Sequence, residues 1–515
     1  RLATESGDTK LAAVHKGQAM ALGTAILTRF ALPGTPLLAA LVGGPFDAAP
    51  SRRFELLGNV LAVKLGLVTG ASARALVAAW PVSEAGPPVQ WPQQPGVAIY
   101  HNRAIWPFVT AWYGLAAAQA GHAEAVHRSL RSLAEFAALN LSHMENLEFL
   151  TGKNFVADGA LSGPVVNSRR QLWSVAGFIA AIHRVLLGFE ASAQGIRFQP
   201  AVPRALRQSW FVGSDVVRLE HLMWRGHVLN IELILPKATT AQTGLYDVAS
   251  MLVDGKAVPV GSWIAEPKLA ATTTITLTLK APVAADTSSV PTIQAADVAT
   301  WLAPAEPVLT DPKLDGGAIA IAWSPISGAD SYDVFRDGAL VAAKVKATSW
   351  TDATSDPSLT APCYAVAARA GALRSHHSAG RCWWGPGAQR IQAISAYKIL
   401  GDDGTWNTTP SGASAAGLMD VGTTGKLLRV ASVHPRHTGP HGLQLIYRNL
   451  HGPTQTGIAC ATARVRVRRL SDGKLLADGR VVLPQQGGDF LPSTVLPVQL
   501  DASAPVQIEI DRGDG

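Results

Sequence analysis

Apolar positions follow helical spacing in the first part of the chain and strand-like spacing in the rest. Helix-like patterns, several of them apolar nearly all round, cover the segments 11–30, 53–68, 72–80, 103–120, 123–141 and 169–187. From about residue 195 the spacing changes, and short alternating or apolar runs cover 216–220, 228–235 and 273–279. The pattern therefore predicts an α-helical part that precedes β-structure.

Changes in this pattern divide the chain into four predicted units. Residues 1–194 are the α-helical part, and residues 195–303 are predicted to form a β-sandwich accessory domain. Residues 304–386 and 387–515 are two further β-domains. At ordinary domain sizes, a chain of 515 residues is expected to hold about three or four domains.

The third unit carries aromatic residues at regular strand positions. Its segments are Ala318-Ile-Ala-Ile-Ala-Trp323, Tyr332-Asp-Val-Phe-Arg-Asp-Gly338, Ser349-Trp-Thr-Asp352 and Cys363-Tyr-Ala-Val-Ala367. This order resembles a fibronectin type III sandwich. The resemblance implies that Trp323 belongs to the core of the domain.

The last unit is also predicted to be β-structure. Its strand candidates are 465–469, 481–483 and 506–510. The stretch 447–452 (Tyr-Arg-Asn-Leu-His-Gly), followed by 456–460 (Thr-Gly-Ile-Ala-Cys), resembles the jelly-roll modules that are appended to glycoside hydrolases. The resemblance implies a β-sandwich that acts as a carbohydrate-binding module.

Composition and charge exclude several classes of protein. Hydrophobic residues make up 48% of the chain and charged residues 16%, which excludes a disordered chain. The net charge of +7 is spread without a run of five basic residues, so no nucleic-acid partner is expected. The uncharged stretch 104–121 contains Pro107 and Gly114, and it is predicted to be a buried helix rather than a membrane span.

The cysteines bear on the compartment of the protein. Cys363 and Cys382 lie in a β-like region where they could bridge neighbouring strands, and a disulfide there would indicate a periplasmic or secreted protein. Three buried free thiols, with Cys460 as the third, are the alternative. Because no CxxC, HExxH or HxxEH spacing occurs, neither a metal nor another cofactor is expected.

Polar and aromatic residues concentrate in three segments next to predicted helices. The segments are 100–108 (Tyr-His-Asn-Arg-Ala-Ile-Trp-Pro-Phe), 144–152 (Met-Glu-Asn-Leu-Glu-Phe-Leu-Thr-Gly) and 167–174 (Asn-Ser-Arg-Arg-Gln-Leu-Trp-Ser). A sugar site requires directional hydrogen-bonding groups for hydroxyls, flat rings for the apolar faces of a pyranose, and carboxylates at the glycosidic bond. Together the three segments contain all of these groups.

The same segments resemble those of a glycosidase superfamily. The motif Tyr-His-Asn-x-x-x-Trp-Pro at 100–107 resembles the amylo-α-1,6-glucosidase part of glycogen debranching enzymes and their bacterial relatives, although Arg103 replaces the glycine common there. The downstream Glu-x-x-x-x-x-Thr-Gly, and the Trp-Ser that opens a helix, resemble the late catalytic segment of six-hairpin, (α/α)6-toroid glycosidases. The resemblance implies a multidomain α and β fold in which an (α/α)6 toroid is followed by antiparallel β-sandwich domains.

A complete toroid needs more helices than the helical part provides. At ordinary helix and loop lengths a full ring takes roughly 350–400 residues, whereas the helical part ends at about residue 194. Residues 1–194 are therefore expected to be the C-terminal half of the toroid. A second polypeptide or an N-terminal fragment is expected to complete the barrel.

The resemblance further implies an inverting, exo-acting hydrolysis of an oligosaccharide or polysaccharide. From its position six residues before Thr151, Glu145 is the expected general base, and Glu148 is the alternative. The general acid is expected to be an aspartate outside this chain, and Asp47 and Glu55 are the candidates inside it.

Further residues near these motifs are candidates for substrate binding. Those expected to donate hydrogen bonds to sugar or to line a subsite are Gln94, Tyr100, His101, Asn102, Arg103, Asn167 and Gln171. Trp106 and Trp173 are candidates for stacking on sugar, with a core role as the alternative. Arg169 or Arg170 is expected to hold a carboxylate, either that of Glu145 or one of the substrate.

Two other classes of function stay open at this point. A polysaccharide lyase acting on a uronate-containing glycan would use Tyr100 or His101 as the base, and Asn102 or Arg103 to neutralise the uronate. The two glutamates favour hydrolysis, since a lyase has no use for them. A non-catalytic carbohydrate-binding scaffold is the other alternative, and the two C-terminal β-domains suggest it.

Overall fold

A computed structural model gives the structure of most of the chain. The residues that it describes are 2–42, 49–238, 243–281, 289–358, 362–385, 388–389, 391, 397–400, 406–407, 418–419, 427–447, 460–484 and 491–511. None of the helices in these ranges combines the length and the apolar character that a membrane crossing requires.

Seven α-helices lie in the described residues, all of them before position 187. They are α1 (Leu2–Glu5), α2 (Thr9–Arg29), α3 (Leu56–Lys64), α4 (Gly70–Ala78), α5 (Pro107–Gln119), α6 (Ala123–Leu139) and α7 (Leu172–Ala180). A π-helical turn, Ala181–Leu186, continues α7. Gly188, with a φ of 66°, lies just beyond this segment and allows the chain to turn into the next strand.

The central helix of the bundle is α5, which contacts α3, α4, α6 and α7. Pro107 lies in its first turn, where a missing N–H removes no helical hydrogen bond. Nearly every position of α5 is buried, as its apolar sequence predicts. In contrast, α6 is amphipathic and buries one face through Val126, Leu130 and Leu133.

Short antiparallel strands join the loops of the helical part. They are β1 (Phe54–Glu55), β2 (Gln90–Trp91), β3 (Ala104–Ile105), β4 (Leu147–Glu148), β5 (Phe189–Ser192) and β6 (Gly195–Phe198). The pairs are β1 with β2, β3 with β4, and β5 with β6. The pairing of β3 with β4 brings two loops that are distant in sequence together at the start of α5.

A five-stranded sheet follows the helical part. Its strands are β7 (Val216–Trp224), β8 (His227–Ile234), β9 (Asp247–Val253), β10 (Lys256–Val258) and β11 (Thr272–Lys280). The spatial order is β10-β9-β11-β8-β7, in which β8 and β11 run parallel and the other pairs antiparallel. One hydrophobic cluster contains residues of both the helices and this sheet, from Leu37 to Val290. The helices and the sheet therefore share a core across position 194.

The predicted (α/α)6 toroid is wrong. Strands account for 34% of the structure and helices for 24%, and the described helices lie at the N-terminal end, packed around α5 and against a sheet. Helical spacing identifies apolar faces in a sequence, but it does not tell which element covers each face. The prediction of purely antiparallel β-domains is also wrong, because β8 and β11 are parallel neighbours.

A β-sandwich occupies residues 309–382. Its strands are β12 (Lys313–Asp315), β13 (Ala318–Ala322), β14 (Ser331–Arg336), β15 (Ala339–Val345), β16 (Ser349–Asp352), β17 (Cys363–Ala370), β18 (Leu373–Arg374) and β19 (Arg381–Cys382). One sheet has the order β12-β13-β16, the other has the order β15-β14-β17-β18, and β19 pairs with β17. Trp323, Tyr332 and Tyr364 lie in the core between the sheets. Cys363 and Cys382 face each other on β17 and β19 and form a disulfide.

The C-terminal unit contains another five-stranded sheet. Its strands and the shorter ones around it are β20 (Tyr397–Leu400), β21 (Trp406–Asn407), β22 (Leu418–Met419), β23 (Leu427–Val433), β24 (Gly439–Leu443), β25 (Ile446–Tyr447), β26 (Cys460–Arg469), β27 (Leu475–Pro484), β28 (Leu491–Pro492), β29 (Leu496–Leu500) and β30 (Val506–Asp511). The sheet has the order β20-β23-β30-β26-β27. Most of the segment that resembles a jelly-roll module, 448–459, lies outside the described residues.

Candidate functional site

The pairing of β3 with β4 brings two of the three polar and aromatic segments together. In its register Ala104 lies opposite Glu148, and Ile105 lies opposite Leu147. Backbone hydrogen bonds connect the third segment to the second, since the N–H of Glu145 donates to the carbonyl oxygen of Ser168 at 2.9 Å. The three segments therefore form one site next to the first turns of α5 and α7.

The carboxylate of Glu145 is buried at the centre of this site. Its Oε1 accepts a hydrogen bond from the Tyr100 hydroxyl at 3.3 Å, and its Oε2 accepts one from the backbone N–H of Ser168 at 3.0 Å. No described Lys, Arg or His side chain forms an ion pair with it. The carboxylate is thus held by two neutral donors.

A cluster of aromatic rings continues from Tyr100, whose ring lies 5.5 Å from that of Trp106. The imidazole of His101 stacks on the indole of Trp106, with 5.0 Å between ring centroids and 9° between planes. The Trp106 and Trp173 rings are 5.8 Å apart, and the Phe108 and Trp173 rings are 5.4 Å apart. Trp106 is buried while 44% of Trp173 is exposed, so the cluster runs from the interior to the surface. Such flat rings are suited to the apolar face of a sugar.

The surroundings of Glu145 shift two neighbouring pKa values. Desolvation raises the pKa of the Tyr100 hydroxyl, and the charge of Glu145 and its hydrogen bond raise it further. Desolvation lowers the pKa of His101, while the charge of Glu145 acts in the opposite direction. At neutral pH Tyr100 is therefore a hydrogen-bond donor, and His101 is a neutral ring on Trp106.

Glu148 has a different environment from Glu145. Its Oε1 lies 3.2 Å from the Nη2 of Arg103, and its Oε2 accepts hydrogen bonds from the N–H of Leu150, the N–H of Thr151 and the hydroxyl of Thr151. Arg103 also binds Asp158, with 2.8 Å between Nη1 and Oδ2. Both oxygens of Glu148 are thus engaged in holding the 148–153 turn. This geometry favours Glu145 over Glu148 as the reactive carboxylate.

Three predicted sugar ligands brace the loops of the site instead. The side chain of Asn102 bonds the backbone N–H and carbonyl of Gln94, both at 2.8 Å. Gln94 donates its own amide to the carbonyl of Pro92 at 3.3 Å. Asn167 bonds the backbone N–H and carbonyl of Asn146, at 3.2 and 2.9 Å, and a further carbonyl at Asn154. These amides fix the path of the backbone around Glu145.

Neither Arg169 nor Arg170 holds the Glu145 carboxylate, and the arginine paired with a glutamate of this site is Arg103, on Glu148. Binding of a substrate carboxylate by Arg169 or Arg170 stays a prediction. In the described residues neither Arg169 nor Arg170 forms an ion pair, and both are exposed. The backbone at Arg170 has a φ of 52°, in the turn just before α7. Gln171 is the N-cap residue of α7, and its N–H donates to His143 at 2.9 Å.

Of the two candidates for the general acid inside the chain, Glu55 is in the described residues and has a structural role there. The carboxylate of Glu55 accepts hydrogen bonds from the N–H of Leu57 at 2.9 Å and of Gly58 at 2.6 Å, and it therefore caps α3. Asp47 lies outside the described residues. Across the described ranges, no group of three or more His, Cys, Asp or Glu side chains is arranged to hold a metal ion.

Two buried side chains of the site were not among the predicted ligands. Asn146 and Ser174 are fully buried, and no described protein group bonds the amide of Asn146 or the hydroxyl of Ser174. Both residues lie inside the sequence segments that define the site. In the sequence, the only indication of a role for them was that they follow Glu145 and Trp173 directly. The burial of an unpaired amide is visible only in the structure.

Comparison with known protein families gives no match, and comparison with curated proteins gives none either. Solved structures with some similarity include an Fn3-like protein from Clostridium thermocellum (22% identity, 17% of this chain and 95% of that chain, TM-score 0.14). Another is the isomalto-dextranase of Arthrobacter globiformis T6 complexed with panose (15% identity, 40% of this chain, 33% of that chain, TM-score 0.18). A third is a glucan-utilization protein, SGBP-B, of Bacteroides ovatus (10% identity, 57% of this chain, 83% of that chain, TM-score 0.10). Similarities of this size assign neither a family nor an activity to this chain.

Proposed function

We propose that the protein is a glycoside hydrolase that acts on an oligosaccharide or polysaccharide, with Glu145 as its general base. The observation that carries the proposal is the buried Glu145 carboxylate, which contacts the Tyr100 hydroxyl and the Ser168 N–H among aromatic rings. A buried carboxylate without a paired cation costs folding free energy, so its presence in a cluster of sugar-compatible groups favours a chemical role.

The proposed chemistry uses Glu145 to activate water. Glu145 takes a proton from a water molecule while the oxygen of that water attacks the anomeric carbon. The bond from the anomeric carbon to the leaving-group oxygen breaks, and the general acid protonates that oxygen. Tyr100 orients the carboxylate through its hydrogen bond, and the partly exposed ring of Trp173 offers apolar surface to the sugar.

The general acid in this proposal comes from outside the described residues. Glu55 caps α3 and Glu148 is bound to Arg103, so neither is free to donate a proton to a leaving group. The disulfide between Cys363 and Cys382 supports an oxidising compartment. A periplasmic or secreted location is therefore part of the proposal.

A non-catalytic sugar-binding function is the second candidate. The partly exposed Trp173 favours it, because an indole at the surface of an aromatic cluster binds a pyranose without any reaction. The lyase alternative lacks comparable support, since Arg103 is bound to Glu148 and Asp158 and Asn102 is bound to backbone groups.

A panel of neutral and uronate-containing glycans tests the proposal. New reducing ends are measured for the wild-type protein, for Glu145→Gln, and for Glu220→Gln as the matched control on an exposed part of β7. We expect release by the wild type and the control, and release slower by at least about 100-fold for Glu145→Gln. Sugar binding without release in all three proteins supports the second candidate. Release that is unaffected by Glu145→Gln contradicts the role of Glu145.

A further inference from the structure

Three buried polar side chains next to the Glu145 site have no hydrogen-bond partner among the described residues. They are Trp106, through its Nε1, Asn146, through both polar atoms of its amide, and Ser174, through its hydroxyl oxygen. Trp106 is 7% exposed, and Asn146 and Ser174 are 0% exposed. Buried polar groups are nearly always paired with protein or with ordered water, so three unpaired residues in one region call for a shared partner.

Trp106 and Asn146 directly follow and precede the paired residues of β3 and β4, and the backbone of Trp106 is extended. The register of β3 and β4 pairs Ala104 with Glu148 and Ile105 with Leu147, and its continuation by one residue places Trp106 opposite Asn146. Opposite residues of an antiparallel pair project to the same face. The indole N–H and the amide therefore belong to one face of this short ribbon.

Ser174 approaches the same place from α7. A Cβ at Gly177 would lie 3.0 Å from the Cα of Phe108, and a Cβ at Gly114 would lie 4.0 Å from the Cγ2 of Val185. Because both contacts advance in the same direction along the two segments, α7 and its continuation run parallel to α5. Ser174 precedes Gly177 by one turn on the same face of α7. It therefore faces the start of α5, where Trp106 is the N-cap residue.

We propose that Trp106, Asn146 and Ser174 form a buried subsite for a neutral hydroxyl group. The indole supplies a donor only, whereas the amide and the serine hydroxyl supply both donors and acceptors. None of the three side chains is charged, and Glu148, two residues from Asn146, is paired with Arg103, so the subsite suits a neutral group that both donates and accepts. That group is the hydroxyl of a water molecule or of a sugar.

The subsite connects to the proposed function through Trp106. The same indole carries the stacked ring of His101 and lies beside Trp173, so its position decides the shape of the aromatic surface near Glu145. The assignment of a sugar hydroxyl to this subsite rests on the proposed function. The assignment of a bound water does not.

A high-resolution crystal structure of the wild-type protein, free and soaked with D-glucose, tests the subsite. We expect an oxygen atom within about 2.7–3.2 Å of Asn146 and of Ser174 or Trp106. A water in both crystals identifies a structural occupant, a glucose hydroxyl in the second identifies a ligand subsite, and either supports the proposal. Direct bonds among the three side chains, with no oxygen between them, would overturn it.

Replacement of Asn146 by leucine gives an independent test that needs no activity. If a bound hydroxyl satisfies the amide, Asn146→Leu removes those bonds and lowers the melting temperature by about 2–4 °C. Ser174→Ala is expected to lower it as well, while Ser209→Ala, at an exposed position, is the matched control and leaves it unchanged. An unsatisfied amide predicts the opposite result, because an apolar side chain of similar shape would then raise the melting temperature, and that result contradicts the proposal.

Discussion

Glu145 and Glu148 lie three residues apart, yet their carboxylates have different partners. Glu148 is bound by Arg103 and by donors of Leu150 and Thr151, so it joins a cation to a turn. Glu145 is held by a tyrosine hydroxyl and one backbone N–H. Because no ion pair holds its carboxylate, Glu145 is the one of the two that we propose as the general base.

Glu148→Gln is expected to lower the free energy of unfolding by about 1–3 kcal/mol, because Arg103 loses a buried partner and the donors of the turn lose a charged acceptor. Denaturant titration measures the change. Glu145→Gln serves as the comparison and is expected to have the smaller effect, since it breaks no ion pair. Equal losses in the two variants would contradict this division of roles.

The sequence predicts well which segments form the site. It predicts less well which side chains within those segments bind one another. The residues that surround Glu145, among them Tyr100, His101, Trp106 and Trp173, lie within the sequence motifs. The choice of Arg103 as the cation depends on the path of the 148–158 loop, and no local pattern encodes that path. Burial of an unpaired amide at Asn146 likewise arises from packing of distant elements.

At the element scale, close backbone approaches fix how the helices meet the sheet. Gly188 follows the helical segment with a φ of 66°, and its carbonyl accepts the N–H of Gln199 at 2.8 Å. A Cβ at this position would lie 2.0 Å from the carbonyl carbon of Gln199 and 2.1 Å from the nitrogen of Pro200. Only glycine therefore fits between the end of the helical segment and the chain after β6.

Gly188→Ala is accordingly expected to destabilise the shared core by about 2–4 kcal/mol, since both the φ value and the backbone contact oppose a side chain. Thermal or denaturant unfolding measures the loss. Gly213→Ala is the matched control, because Gly213 also has a positive φ, of 77°, but a Cβ there meets nothing within 4 Å. A cost at Gly188 no larger than that at Gly213 would contradict the steric argument.

Element positions are predicted well from the sequence, and the arrangement of elements is not. The pattern predicts a helix over 123–141, and the structure forms Ala123–Leu139. The helix predicted over 53–68 begins only at Leu56, because Phe54 and Glu55 pair with β2 and Glu55 caps the helix. The toroid prediction fails at the arrangement of the elements. The parallel pair of β8 and β11 and the packing around α5 depend on contacts between distant segments.

At the scale of the whole molecule, a histidine joins the helical part to the β-sandwich at 309–382. The Nδ1 of His376 lies 3.3 Å from the hydroxyl oxygen of Ser51, and its Nε2 contacts the guanidinium of Arg53, which also binds Gln90. Burial lowers the pKa of His376 to about 4, with further lowering by the charges of Arg53 and His377. The junction therefore requires a neutral imidazole.

Acid is expected to weaken this junction. The unfolded chain protonates His376 near its ordinary pKa of 6.5 and the folded chain near 4, so stability falls as the pH decreases from 6.5 to 4. The loss from this residue amounts to at most about 3 kcal/mol. Burial raises the pKa of Glu306, and this opposes the effect of His376.

The difference between the wild type and His376→Gln in unfolding free energy, measured from pH 7 to pH 4, isolates the contribution of the histidine. Parallel curves for the two proteins would contradict the role of His376.

The role of Glu145 is tested most directly by the structure of Glu145→Gln with an oligosaccharide that the wild type cleaves. We expect a sugar ring against Trp173 and the residue-145 amide within about 3 Å of a water molecule that faces the anomeric carbon. A sugar bound elsewhere on the protein, with residue 145 out of reach of the scissile bond, would contradict it.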